Sequence, residues 1–155
     1  MITEEDITGT WLLVARGNAH PADERVSLER YGNDPRGMVI ISPDGWMNAS
    51  LSHGGRPLLT GNPAWHTDAP QSDRLAAFDT YISYGGQWRL EADTFITKVE
   101  FALNPGWVGK DQERGVEMLP DGNMRLILSR EWPDGSVIDA WVQWRRAADL
   151  WGDPE

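Results

Sequence analysis

The chain contains no cysteine among its 155 residues. That excludes a disulfide framework, a thiolate metal site and a cysteine nucleophile. Basic side chains are also few: 14 Lys and Arg stand against 24 Asp and Glu, for a formal net charge of −10. Release of counterions from phosphates needs a basic patch, so this balance argues against a nucleic-acid surface. It argues equally against electrostatic docking on an anionic membrane. No apolar run approaches the ~18 residues of a membrane helix. The opening "MITEEDITGT" has neither the basic nor the apolar region of a secretory signal. The expectation is therefore a soluble, cytoplasmic protein. Gly-x-Ser-x-Gly, a phosphate-binding glycine loop and a dinucleotide fingerprint are missing too. His20, His53 and His66 show no spacing that defines a metal site, so neither a metal nor a cofactor is expected.

What the chain does have is tryptophan, nine residues of it. Some of these rings belong to a core and others can line a pocket for a flat, apolar ligand. Turn signals recur at "SPDG" (42–45), "LPDGN" (119–123) and "WPDG" (132–135). In each, proline presets φ and glycine supplies the positive φ of a tight hairpin. The runs between them alternate with period two. Trp88 and Leu90 share a face, as do Phe95, Thr97, Val99 and Phe101, then Gln112, Arg114, Val116 and Met118, then Met124, Leu126 and Leu128. About eight strands result, the number that closes a small antiparallel up-and-down β-barrel. At this length one domain spanning 1–155 is expected.

Two segments interrupt the meander. In "SDRLAAFDTYISY" the spacing of Leu75, Phe78 and Ile82 predicts a helix of two or three turns, capped by Ser72 and ended by Gly85-Gly86. Before it runs a Gly- and Pro-rich loop (53–71) carrying Trp65 and His66, long enough to suggest function. Loop and helix together read as a cover over one barrel mouth. "TEEDI", with Thr3 and Asp6, reads as a short capped turn before Trp11.

"GTW" (9–11) resembles the Gly-x-Trp signature of lipocalins, in which the tryptophan closes the barrel floor beneath an arginine of the last strand. Arg145 or Arg146 would supply that cation–π contact. The "DGWM" hairpin (Asp44, Gly45, Met47), the "YISYGG" stretch (81–86) and "NPGWVG" ahead of Arg114 together resemble the bacterial and fungal lipocalin-like domain family. The resemblance spans essentially the whole chain. It implies a barrel with a central cavity, without implying one activity. Thr97 and Lys98 stand where relatives often carry histidine. A haem-binding barrel of the nitrobindin kind also begins with Gly-Thr-Trp, but no axial histidine stands out here.

The candidate ligand-binding residues are Trp46, Met47, Tyr81, Tyr84, Trp88, Glu100, Arg114 and Trp141. Trp46, Trp88 and Trp141 would form aromatic walls. The hydroxyls of Tyr81 and Tyr84 would either meet a ligand oxygen or be satisfied within the core. Glu100 and Arg114 lie on segments expected to be neighbours. They read either as a structural ion pair or as a guanidinium that receives a ligand anion. Strict alternation turns Glu100 outward, and only a β-bulge would change that. His53 or His66 could act as a base when the cover closes. The expected partner is a small hydrophobic or aromatic metabolite, bound in the barrel. The alternative is a cofactor-free isomerase, cyclase or lyase using Arg114 to stabilise negative charge. Exposed tryptophans would also suit a protein-binding adaptor.

Overall fold

Eight strands close on themselves in sequence order: β1 (Gly9–Asn18), β2 (Arg36–Ile41), β3 (Trp46–Ser52), β4 (Tyr81–Glu91), β5 (Thr94–Ala102), β6 (Asp111–Met118), β7 (Met124–Glu131) and β8 (Val137–Arg146). Every neighbouring pair is antiparallel, and β8 returns to β1 through Leu13↔Trp144 and Trp11↔Arg146. The computed structural model describes residues 1–18, 34–131 and 133–147. His20, Trp132 and Trp151 therefore lie outside the described residues. The expected hairpin glycines Gly45, Gly122 and Gly135 all take positive φ.

One end of the barrel is a floor. A short helix, α1 (Glu4–Ile7), precedes β1 and is held by a capping box: Thr3 accepts from the Asp6 amide, and the Asp6 carboxylate accepts from the Thr3 amide at 2.8 Å. Trp11 is fully buried above it and donates its indole N–H to the Ile7 carbonyl at 2.8 Å. Arg146, not Arg145, lies over the Trp11 ring, with its guanidinium carbon 4.3 Å from the centroid. Its N–H groups also reach the carbonyls of Thr8 (2.8 Å) and Asp6 (2.7 Å). The arginine thus satisfies carbonyls at the end of a helix that has no basic residue of its own. Above this floor Trp144, Phe95, Met124, Val39, Ile41 and Trp88 fill the lower barrel.

The alternation fails at two bulges. Gly86 pairs with Val99 and Gly85 with Phe101, so Glu100 is an extra, unpaired residue on β5. Beyond it the parity flips. Phe95, Thr97 and Val99 face the lumen as expected, but Phe101 turns outward, where its ring covers Gly85. The second shift lies between Leu13 and Ala15 of β1 and sets Arg16 opposite Val142, on the inward face.

The helix has the expected two to three turns but ends before Ile82, the last residue of the apolar spacing. α2 spans Gln71–Asp79 with Pro70 at its N-cap, and Tyr81 already begins β4. Ile82 pairs with Leu51 and Tyr84 with Ala49, both inward. Pairing with β3 across the barrel wall overrides the local helical period. Gly85 and Gly86 sit inside β4 rather than ending a helix.

Candidate functional site

The strand directions put the β2–β3, β4–β5 and β6–β7 hairpins at the floor, and the β3–β4 and β5–β6 connections, with the short β7–β8 turn, at the other end, which is the mouth. There a cavity of about 800 Å³ opens between three structures: the start of the β3–α2 loop, the end of α2, and the β5–β6 loop with its 3₁₀ turn at Pro105–Trp107. Ile82, Leu103, Phe78 and Trp107 form apolar wall, with Tyr81 beside them. His53, Arg56, Asp79, Ser83 and Asn104 add polar groups. A volume in this range suits a drug-sized ligand, and the wall offers it both apolar faces and polar groups.

The wall is tied to the core and to the loops. Trp107 stands edge-on to Tyr84, with centroids 5.5 Å apart and planes at 85°, and Tyr84 is buried on the lumen face. Asn104 caps the 3₁₀ turn by accepting from the Gly106 amide at 2.9 Å. The loop is pinned to α2 where Asp73 accepts from the Thr60 amide at 2.7 Å, and that hydrogen bond holds the Asp73 carboxyl below its ordinary pKa. The β3–α2 segment covers the mouth only by its two ends. Its middle does not join the site: Trp65 is 72% exposed and His66 is exposed as well.

Arg56 is an exposed residue of the wall whose side chain is held at the end of α2. Its Nε donates to Thr80 Oγ1 and its Nη2 to the Ala77 carbonyl, each at 3.0 Å. Its guanidinium carbon lies 5.3 Å from the Tyr81 centroid. Thr80 Oγ1 itself donates to the Ala76 carbonyl at 2.7 Å, so helix end, hydroxyl and guanidinium hold one another.

The eight residues named from sequence separate. Tyr81 lines the cavity, and Tyr84 supports it through Trp107. Met47 and Trp88 face the lumen deeper down, and the Trp88 indole N–H is taken by the Ser42 carbonyl at 2.8 Å. Arg114 shares the inward face with its partner Phe95, but its N–H groups go to the Glu113 carbonyl (2.7 Å) and Gln112 Oε1 (3.2 Å). Glu100 stands exposed on the bulge, outside the lumen. It is five residues beyond Phe95, roughly 16 Å of extended chain, and no Glu100–Arg114 ion pair forms. Trp46 is 42% exposed and pairs with Gln87 on the outer surface. Trp141 lies outside as well, against Gly17 and beneath Arg125, whose guanidinium carbon is 4.2 Å from its centroid. Neither ring can be an inner wall.

Arg56, Trp107, Asn104 and Leu103 line the cavity without being singled out from sequence, as do Ile82 and Phe78, whose spacing reads only as a helix face. "NPGWVG" stands out as a motif, and its tryptophan is the available signal. Arg56 left none, since a lone arginine in a loop carries no pattern. Among the described residues, no group of three or more His, Asp or Glu side chains could hold a metal ion, and no helix is long and apolar enough to cross a membrane. Residues 8–147 match the family model described as a lipocalin-like domain. No curated protein matches the chain.

Proposed function

The chain belongs to the lipocalin-like domain family, and from that premise we propose that it binds a small hydrophobic or aromatic molecule at the mouth of the barrel. The observation that carries the reading is the cavity of about 800 Å³ with Trp107, Phe78, Ile82 and Tyr81 in its wall. These side chains supply apolar area and aromatic faces, while the packed lower barrel supplies a rigid base. The enzymatic alternative has Arg114 stabilising negative charge, with Glu100, a tyrosine or a lid histidine moving a proton. With Arg114 committed to Gln112 and Glu113, and Glu100 outside, it loses its charge pair. The binding reading is therefore preferred.

Native mass spectrometry of the protein from its own source, set against the denatured mass, tests this directly. An apolar or aromatic adduct that leaves on denaturation is the expected result, with Trp107→Ala carrying less of it. A bare protein that also gives no saturable calorimetric signal with either 2-naphthalenemethanol or 2-naphthoate overturns the reading.

A further inference from the structure

Arg56 has five N–H donors, and its hydrogen bonds use the side edge of the guanidinium, Nε and Nη2. The distal edge, one N–H from each Nη, remains. Among the described residues no carboxylate lies within ion-pair distance of Arg56, although Asp79 lines the same cavity. The helix end and the Tyr81 ring fix the plane of the group. A fixed guanidinium with its distal fork unspent has the geometry that takes a carboxylate through two parallel N–H···O bonds. Asn104 adds a second donor: its Oδ1 is occupied by the Gly106 amide, and its side-chain N–H₂ has no partner among the described residues. The wall also carries the apolar side chains of Phe78, Ile82, Leu103 and Trp107.

We propose that the mouth cavity is a receptor for organic acids. A carboxylate sits on the distal edge of Arg56, and an aromatic or aliphatic body lies against Trp107 and Ile82. This rests on the mouth cavity being the binding site, and it adds the charge and polarity of the ligand. The chain's net charge of −10 repels anions at long range and is screened by salt. Selectivity for an acid must therefore come from this local contact, and it should persist at 0.15 M salt, where surface attraction fades.

The test compares 2-naphthoate with 2-naphthalenemethanol, matched in body and different in charge, by calorimetry at 0.15 M salt. The wild type should bind the acid about tenfold more tightly than the alcohol, a difference of about 1.4 kcal/mol. Arg56→Gln should bring the two affinities together by weakening the acid alone. Arg56→Lys keeps the charge without the planar fork and should retain only part of the preference. It also serves if Arg56→Gln releases the end of α2, which a melting curve would show. Equal affinities in the wild type, or an acid preference unchanged in both variants, overturn the acid receptor while leaving the cavity as the site. Failure of both probes to bind overturns the cavity reading and this proposal with it.

Discussion

Thr97 is fully buried on the lumen face, and its hydroxyl has no hydrogen-bond partner among the described residues. An unsatisfied buried hydroxyl costs about 1–3 kcal/mol, and an apolar isostere removes that cost. Thr97→Val should therefore leave stability unchanged or raise it by up to about 1 kcal/mol in urea unfolding. A clear loss would show that the hydroxyl is satisfied in solution, by water or by ligand. Arg146 presents the opposite case, because its guanidinium satisfies the carbonyls of Thr8 and Asp6 and covers the Trp11 ring. Arg146→Ala should cost roughly 2–3 kcal/mol, given the strength of charged hydrogen bonds. This contact was legible from "GTW" and the terminal "WRR", since a glycine-tryptophan start and a distant arginine make a recognisable pair. The wall tryptophans were not legible as a group. Trp46 and Met47 are adjacent in a strand, so only one of them can face inward, and the burial of Met47 decides it. Trp141 and Trp144 are three apart and take opposite faces for the same reason.

Strand β4 shows how an element depends on small residues whose reason lies on its neighbour. A Cβ on Gly86 would come within 2.0 Å of the Lys98 carbonyl, which is backbone and cannot swing away. On Gly85 it would meet the Phe101 ring at 2.5 Å, and that exposed side chain can turn aside. Gly86→Ala should thus cost about 3 kcal/mol or prevent folding, whereas Gly85→Ala should cost about 1 kcal/mol. Comparable losses would mean that the Glu100 bulge relaxes more easily than its geometry implies. The bulge was invisible in sequence because "TFITKVEFAL" alternates without a break, and only the partner glycines register the close approach. Helix α2 went astray differently. Its short apolar spacing continued into residues that pair better with β3, and Leu75, at 60% exposed, shows how little of its apolar face is used. The junction between loop and helix carries a pH prediction. The Asp73 carboxyl, held low by the Thr60 amide, favours the ordered loop at pH values above about 4, the ordinary Asp range. That contribution is lost as pH falls through its lowered pKa. The protection factor of the Thr60 amide, with the intrinsic pH dependence of exchange divided out, should fall as pH drops through that lowered pKa, and Asp73→Asn should show the lower protection already at pH 6.

At the scale of the whole barrel the two ends do different work. The floor packs Trp11, Trp144, Phe95 and Met124 without exposure, and its polar groups answer to α1 and Arg146. The mouth leaves a cavity of about 800 Å³ and builds its wall from loop and helix residues, where binding groups commonly collect on a rigid scaffold. Charge is divided too, but around the barrel instead of along it. Between Arg36 and Arg89, the outward positions of β2, β3 and β4 carry Met38, Ile40, Trp46, Asn48, Ser50, Ser83 and Gln87, none of them charged. The outward face of β6 bears Asp111, Glu113 and Glu117. Barrel closure was legible because eight alternating runs admit few other arrangements; of the mouth, the long loop, the helix and Tyr81 were legible, but most of the lining residues were not, because loops carry no period. If the ends are independent, changes at each should act on separate observables. Arg146→Ala should lower the melting temperature and leave the affinity for a bound aromatic probe unchanged within about twofold. Trp107→Ala should weaken that affinity about tenfold, as the loss of an aromatic face implies, with a much smaller effect on melting. In the double variant the stability losses should add to within about 0.5 kcal/mol, as they do for sites that share no partners. A larger coupling would show that the packed core transmits the state of the floor to the mouth, through Trp88 and Tyr84, which join the two ends on the inner face of β4.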